Sequence, residues 1–540
     1  MAATAALLER AVALTIDPAR RAERALAAAR ANQEAGALEP ALGLLAAAES
    51  GPLDEFGRDQ VEVARAEIAF ASSRGPDTDP LLLSVAKRIE PLDVALAREI
   101  YLAALIAAGA GHLGENGGAS EVAQAARAAP APTPPRAVDR LLDGLALAAT
   151  EGLPAGAPIL RDALAAFRGY GLSNEELLRW LGSASHVAEL MWDYDAWDAL
   201  SARAVEEARN QGALRALPVA LTSRLGVHLF AGELDVATSL VEQVNAVTDA
   251  TGDAVGPYAR VRRTTVALAG YRGDEAAAAK VFAAATAEFT SRGEAEGLTV
   301  VRWATAVLYN GLGRYEEARN AGVRAAAESH EMWFARWGLV DLIEAAARSR
   351  DVNLARDALE RLARHTSAAG TDWAVGIEAR SRALVSAGEA AEGLYREAID
   401  ALERAAVRVE LARARLLYGE WLRRERRRID AREQLRAAHE MFTEFGMEAF
   451  AERARGELSA TGERARKRTV ETRDDLTPQE ANISRLVAAG ATNREIAGQL
   501  FISSSTVSYH LQKVFRKLGV TSRTQLTRHM LQRPERSGMP

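Results

Sequence analysis

Along most of the chain, apolar side chains recur three and four residues apart, and alternation of β-branched residues is scarce. That period belongs to helices with one buried face, not to strands. Arg396-Glu-Ala-Ile-Asp-Ala-Leu-Glu-Arg-Ala is one such segment and Leu411 to Leu422 is another. The pattern predicts an all-α protein. Alanine is abundant and aromatics are only 6%, which suits closely packed helices, because alanine favours the helix and leaves no bulk to hold neighbours apart.

Short turn signals punctuate the helices. Trp192-Asp-Tyr-Asp-Ala, Phe230-Ala-Gly-Glu-Leu, Tyr271-Arg-Gly-Asp-Glu, Leu312-Gly-Arg-Tyr-Glu-Glu-Ala, Ala387-Gly-Glu-Ala and Arg427-Arg-Ile-Asp-Ala each precede a helix start, and Ser349-Arg-Asp-Val fits between the fourth and fifth. They fall about 40 residues apart, the period of two-helix solenoid repeats. One pair cannot bury its apolar face alone, so neighbours stack. The Leu312 segment resembles the turn of a tetratricopeptide repeat, and residues 1–460 are expected to form a TPR-like solenoid. Two stretches break helices: glycine-rich Gly109 to Gly118, and Pro130, Pro132, Pro134 and Pro135. Each reads as a surface loop or as a hinge within the array. Charged, aperiodic residues 461–475 read as a linker.

The pattern sharpens after Leu476. Thr477-Pro478-Gln479-Glu480 is a capping box with proline at the first helical position. Ile483, Leu486 and Val487 give that helix its apolar face, and Gly490 ends it. Thr492-Asn493-Arg494-Glu495 opens a second helix. Ser503 to Thr506 cap a third, which Gly519 terminates in the position that wants a left-handed residue. Ser522-Arg523-Thr524-Gln525 opens a fourth. Four short helices, the second and third joined tightly, form a helix-turn-helix arrangement over residues 476–532.

The third helix has two faces. Val507, Leu511, Val514, Phe515 and Leu518 make an apolar stripe. Ser505, Ser508, Tyr509, Gln512 and Arg516 make a polar one, flanked by Lys513 and Lys517. Such a helix suits the major groove, its polar side chains at base edges and its cations at phosphates. His510 either meets a phosphate or packs at the helix edge. Charge agrees with this division: residues 471–540 carry ten Lys and Arg against six Asp and Glu, while the whole chain is at −6. The body is therefore acidic and its end basic.

The run Leu476-Thr-Pro-Gln-Glu, Gly490-Ala-Thr-Asn-Arg-Glu-Ile-Ala, Thr506-Val-Ser-Tyr-His-Leu, Lys513-Val-Phe-Arg-Lys-Leu-Gly-Val and Ser522-Arg-Thr-Gln-Leu resembles the LuxR/NarL-type DNA-binding domain. The resemblance covers about a tenth of the chain. It implies base reading by Ser508, Tyr509 and Gln512, and backbone contacts from Thr492, Asn493, Ser503, Ser505, Thr506, Lys513 and Lys517. Relatives often carry Lys or Arg where this chain has Ser508 and Gln512. It also implies a homodimer formed through the fourth helix. Segments of the body, such as Pro18-Ala-Arg-Arg-Ala-Glu-Arg-Ala-Leu and Glu420-Trp-Leu-Arg-Arg, resemble the large ATP-binding, MalT-like LuxR regulators, beginning where their ATPase module would end. The chain is then either a naturally short regulator or a piece of a longer one.

Candidate chemistry is sparse. None of the five lysines follows a glycine, so there is no P-loop. There is no cysteine, which excludes disulfides and thiolate metal sites. No His-Glu-x-x-His or Gly-x-Ser-x-Gly is present. No enzyme activity, cofactor or metal is expected. Without a signal peptide or a long apolar run, a cytoplasmic protein is the default. Two aromatic groups, Trp192, Tyr194 and Trp197, and Trp333, Phe334 and Trp337, either pack helices together or hold a small apolar effector. The run Arg423 to Arg428 reads as a solvated helix end or as a second nucleic-acid patch.

The chain is thus expected to be a promoter-binding regulator whose solenoid senses an effector or a protein partner, with RNA polymerase as a further partner. The alternative is a protein-docking scaffold tethered to DNA.

Overall fold

The structure, a computed structural model, describes residues 2–71, 78–109, 118–169, 171–214, 216–251, 261–327, 336–462, 476, 478–488, 490–500 and 504–532. Among them lie 28 helices, α1 (Ala2–Leu14) to α28 (Arg523–Gln532), and no strand. No helix among the described residues is long and apolar enough to cross a membrane. The chain divides into two compact units, Met1–Thr461 and Gly462–Pro540.

The first unit is an array of helix hairpins. From α6 (Val94–Gly109) through α8 (Ala137–Glu151), α10 (Asn174–Leu190), α12 (Ala216–Ala231), α14 (Val261–Arg272), α16 (Ala295–Gly311) and α18 (Arg336–Arg348) to α20 (Asp372–Leu384), each even-numbered helix packs both on its sequence neighbours and on the next even one. These form an inner layer, and the odd helices lie outside. The turns that close the hairpins are the ones expected from the sequence. Trp192, Gly232, Gly273, Gly313, Arg350, Gly388 and Arg426 all have positive φ and recur every 37 to 41 residues. At most of them the next residue's N–H reaches back to a helix carbonyl, as Asp193 does to Ala188 (2.9 Å) and Asp351 to Ala346 (2.8 Å). Asp193, Asp274 and Asp351 then cap the following helix by accepting from the N–H three residues on.

The array coils back on itself. α9 (Leu153–Arg168) meets α19 (Val352–Ala369), α12 meets α22 (Arg408–Arg424), and α16 meets α24 (Glu448–Ala460). Thr371 donates to the Trp192 carbonyl (2.7 Å) across this closure, and Arg336 to that of Glu189 (3.1 Å). Glycine turns make the approach possible. A Cβ on Gly232 would lie 2.5 Å from the Phe445 ring, and one on Gly273 would lie 2.5 Å from the Ala449 nitrogen.

Where the inner helices converge, the core is charged. Arg413, 1% exposed, binds Asp341 (2.6 Å), Glu344 (2.9 Å) and Glu410 (3.4 Å). Arg380 also binds Glu410, Arg453 binds Glu344 and Glu420, and Arg348 binds Glu420. Burial alone would raise the Glu344 carboxyl, but Arg453 and Arg413 hold it down to about 2. Asp341 is raised by burial despite Arg413.

The proline stretch connects α7 (Gly118–Ala128) to α8 inside the array. Buried Arg98 on α6 ties it down by donating to the Pro130 carbonyl (3.4 Å) and to Asp139 (2.9 Å). Most of the glycine-rich stretch, residues 110–117, lies outside the described residues. In the arginine run, Arg427 pairs with Glu392 (2.7 Å) and Arg423 with Glu457 (2.5 Å), so those cations are engaged within the body. Thr461, read as the start of the linker, is buried, and Arg432 holds its hydroxyl (3.1 Å) and carbonyl (2.8 Å). It closes the body. Residues 463–475 lie outside the described ones.

Two expectations follow. Gly232→Ala combines a left-handed backbone with a collision against Phe445, whereas Gly293→Ala meets open space at φ 68°. Thermal melts should show the first costing about 3 kcal/mol and the second about 1. His365 is pushed down to about 4 by burial, with Arg336, Arg364 and Arg361 adding to the effect. Its folded pKa lies below the unfolded one, so the unfolded chain takes up the proton first. Stability is retained above pH ~6.5 and falls by on the order of 3 kcal/mol as pH drops towards 4. Denaturant titrations of His365→Gln should lack that increment.

Candidate nucleic-acid interface

Among its described residues the second unit has four helices: α25 (Pro478–Ala488), α26 (Asn493–Leu500), α27 (Ser504–Leu518) and α28. Their core is Ile483 and Val487 from α25, Ile496 and Ala497 from α26, Val507, Leu511 and Val514 from α27, and Leu526 from α28. α25 packs on α27 and α28, and α26 packs on α27.

The helix boundaries have local causes. Thr492 caps α26: its N–H donates to the Glu495 carboxylate (2.6 Å), and Glu495 N–H donates to the Thr492 hydroxyl (3.3 Å). These bonds with Thr492 hold the Glu495 carboxyl below its ordinary range. Gly490 (φ 89°) and Gly519 (φ 64°) end α25 and α27 in left-handed geometry. At the start of α28 the cap differs from the box read in the sequence. Gln525 N–H reaches Ser522 (3.2 Å), but its side chain accepts from the N–H (2.8 Å) and hydroxyl (3.0 Å) of Thr521. The long glutamine side chain engages one residue further back than the box predicts.

On α27 the apolar stripe faces the core, and the opposite side carries exposed Tyr509 and Gln512. The Lys513 ammonium sits 4.5 Å from the Tyr509 ring centre, a cation–π contact that places a positive charge beside the phenol. His510 is buried, which favours the packing role.

Other expected contact residues are turned partly towards the domain itself. Asn493 donates to the Ser508 hydroxyl (3.1 Å) and accepts from Arg523 (2.6 Å), and Arg523 also donates to the Ala491 carbonyl. One chain of bonds thus joins α26, α27 and α28. Lys517, read as a flanking cation equivalent to Lys513, instead donates to Glu480 (2.6 Å), whose side chain is 3% exposed. Thr492 is exposed and Thr506 half-buried. Ser503 and the side chains of Ser505 and Arg516 lie outside the described residues.

Sequence reading missed Arg523 and Glu480 as organisers. Both sit inside capping boxes, which signal local roles and conceal the partners that folding brings near. In the first unit, Trp337 is buried and stands 4.2 Å from Trp192, so parts of the two aromatic groups form one cluster. Trp373, Phe230 and Trp303 join it. Trp333 and Phe334 lie outside the described residues. No group of three or more His, Asp or Glu placed to hold a metal ion occurs among the described residues.

Residues 474–530 match the family described as bacterial regulatory proteins, luxR family. The C-terminal unit therefore contains a LuxR-family helix-turn-helix domain. Over 78 residues, 14% of this chain, the sequence is 45% identical to a protein of Mycobacterium tuberculosis provisionally named as an HTH-type transcriptional regulator, of which the match covers 8%. Over 54 residues, 10% of the chain, it is 46% identical to the nitrate/nitrite response regulator protein homolog of Haemophilus influenzae, covering 26% of it. Over 65 residues, 12% of the chain, it is 42% identical to the transcriptional regulatory protein MctR of Rhizobium johnstonii, covering 30%. The chain thus aligns with less than a third of each of these relatives.

The two lysines of α27 should separate in a stability test. Lys517→Met removes the ammonium beside the buried Glu480 carboxylate and should destabilise the second unit by about 3 kcal/mol. Lys513→Met loses only an exposed cation–π contact and should cost about 0.5 kcal/mol. Hydrogen exchange of the α25 and α27 amides reads both; equal effects would contradict the division.

Proposed function

We propose that the chain is a sequence-specific DNA-binding transcriptional regulator, in which residues 476–532 read duplex DNA and residues 1–460 place that reading under the control of an effector or partner. One observation carries the DNA assignment: Tyr509 and Gln512 stand exposed on a helix whose other side is the domain core, with Lys513 beside them. A helix so divided can enter the major groove with its polar side towards base edges.

The roles divide by chemistry. Tyr509, Gln512 and Ser508 contact bases, Ser508 being held in place by Asn493. Lys513, Thr492, Thr506 and the N-terminal end of α27, with Ser503 and Ser505, meet the phosphate backbone, and Arg516 adds positive potential, while Lys517 is committed to Glu480. Asn493 and Arg523 fix the angle between α26 and α27. Residues 462–475 join the two parts. The protein acts in the cytoplasm as a homodimer on paired half-sites, within reach of RNA polymerase. The acidic body is repelled by DNA, so only the basic end approaches it.

Fluorescence anisotropy of a labelled duplex from the protein's own upstream region, against a random duplex, tests this at two salt concentrations. Binding to the first should be at least a hundredfold tighter and weaken steeply with salt. Lys513→Met should weaken binding to both duplexes and lower the salt slope by about one. Gln512→Ala should change the ratio between them. Equal effects of both variants on both duplexes would refute the assignment.

A further inference from the structure

The two purines present different edges in the major groove. Guanine offers two acceptors, N7 and O6, which a cationic side chain with two donors matches. Adenine offers the N7 acceptor and the N6 donor, which a carboxamide matches with one N–H and its oxygen.

The reading face of α27 follows the second pattern. Ser508, Tyr509 and Gln512 carry no charge. Three cations close to them in the fold or the sequence are committed elsewhere. Lys517 donates to the Glu480 carboxylate (2.6 Å), the Lys513 ammonium lies over the Tyr509 ring, 4.5 Å from its centre, and Arg523 donates to Asn493 (2.6 Å) and to the Ala491 carbonyl. Asn493 donates in turn to the Ser508 hydroxyl (3.1 Å), which ties Ser508 to the domain. Gln512 and Tyr509 differ. Gln512 is exposed, Tyr509 is 55% exposed, and neither side chain makes a hydrogen bond among the described residues. They stand three residues apart, about 4.5 Å along the helix axis. Stacked base pairs are about 3.4 Å apart, so the two side chains address adjoining pairs.

We infer that α27 selects adjoining A·T pairs, with Gln512 and Tyr509 as the residues that set the choice. The Gln512 amide donates to adenine N7, and its oxygen accepts from adenine N6. Facing guanine, that oxygen would meet O6, acceptor against acceptor, and only one of the two bonds could form. The difference is worth about tenfold to a hundredfold in affinity. The Tyr509 ring packs on the 5-methyl group of the thymine in the adjoining pair. Lys513 covers one face of that ring, which holds it still and leaves the other face and the edge for the methyl. This inference rests on the DNA-reading role proposed above and adds the bases it selects.

The test is selection from a randomised duplex library by the full chain and by its Gln512→Arg variant. The wild type should enrich adjoining A·T pairs at a fixed position. Gln512→Arg supplies two donors, so it should turn the adenine there into guanine and leave the other positions as they were. Base analogues in the selected duplex then probe each contact by anisotropy. 7-Deazaadenine lacks the N7 acceptor and should weaken wild-type binding about tenfold. Uracil lacks the methyl and should weaken it about fourfold. Tyr509→Phe keeps the ring and should keep the sensitivity to uracil, and Tyr509→Ala should lose it. Both substituted positions are exposed, and unchanged circular dichroism confirms that the variants fold. Guanine at the position that Gln512→Arg alters, a selected sequence that Gln512→Arg leaves unchanged, or undiminished affinity for the 7-deazaadenine duplex overturns the adenine contact and leaves the DNA-reading role standing. Indifference of the wild type to uracil overturns the thymine contact. Failure of the wild type to enrich any sequence removes the DNA-reading role itself, and this inference with it.

Discussion

The array depends on a requirement that buried charge imposes. Arg413 lies 1% exposed among Asp341, Glu344 and Glu410, and Arg380, Arg348 and Arg453 extend the cluster to Glu420. Four guanidinium groups face four carboxylates. Charges taken out of water are tolerated only when partners of opposite sign meet them at hydrogen-bond distance. The groups come from α18, α20, α22 and α24, with Trp303 and Asn310 of α16 bonding Asp341 as well. Apolar helices could slide past one another at little cost. These cannot, because a shift of one residue would strand several ions together. The network therefore sets the register in which the superhelix closes.

Closure also needs small residues where backbones meet. The hairpin turns at Gly232 and Gly273 satisfy two demands at once: a left-handed backbone and the absence of a side chain where Phe445 and Ala449 press in. Where the same turn is not a closure contact, the array accepts Arg350 and Arg426 at positive φ and bears the modest strain of a side chain there. The left-handed turn recurs throughout; lack of space requires glycine at Gly232 and Gly273, whereas buried Trp192 takes the same conformation (φ 53°) with its ring packed on Trp337 and Trp373.

The second unit applies the same logic on a smaller scale. Among the described residues its core is eight buried side chains, and polar ties supplement it. Lys517 binds Glu480 across α25 and α27, while Arg523 and Asn493 link α28, α26 and α27. These ties leave Tyr509, Gln512 and Lys513 presented on a supported helix. A surface meant to read another molecule benefits from such support, since contacts ordered in advance lose less entropy on binding.

Local structure was legible in the order of residues alone. Helical period, turns about 40 residues apart, and capping residues act over a few positions, so they are readable without the fold. Thr492 with Glu495, Gly490 and Gly519 framed the helices of the second unit, and the stripes on α27 separated core from surface. Which charged residues are interior was settled only when the helices assembled. In Leu411 to Leu422, Arg413 and Glu420 look like solvent-facing positions, and they are buried because partners distant in sequence neutralise them. Assembly likewise turned Lys517 towards Glu480 and brought Trp192 to Trp337 and Trp373. None of these has a sequence signal, because a pairing between distant residues becomes a physical interaction only once the backbone has brought them within a few ångströms.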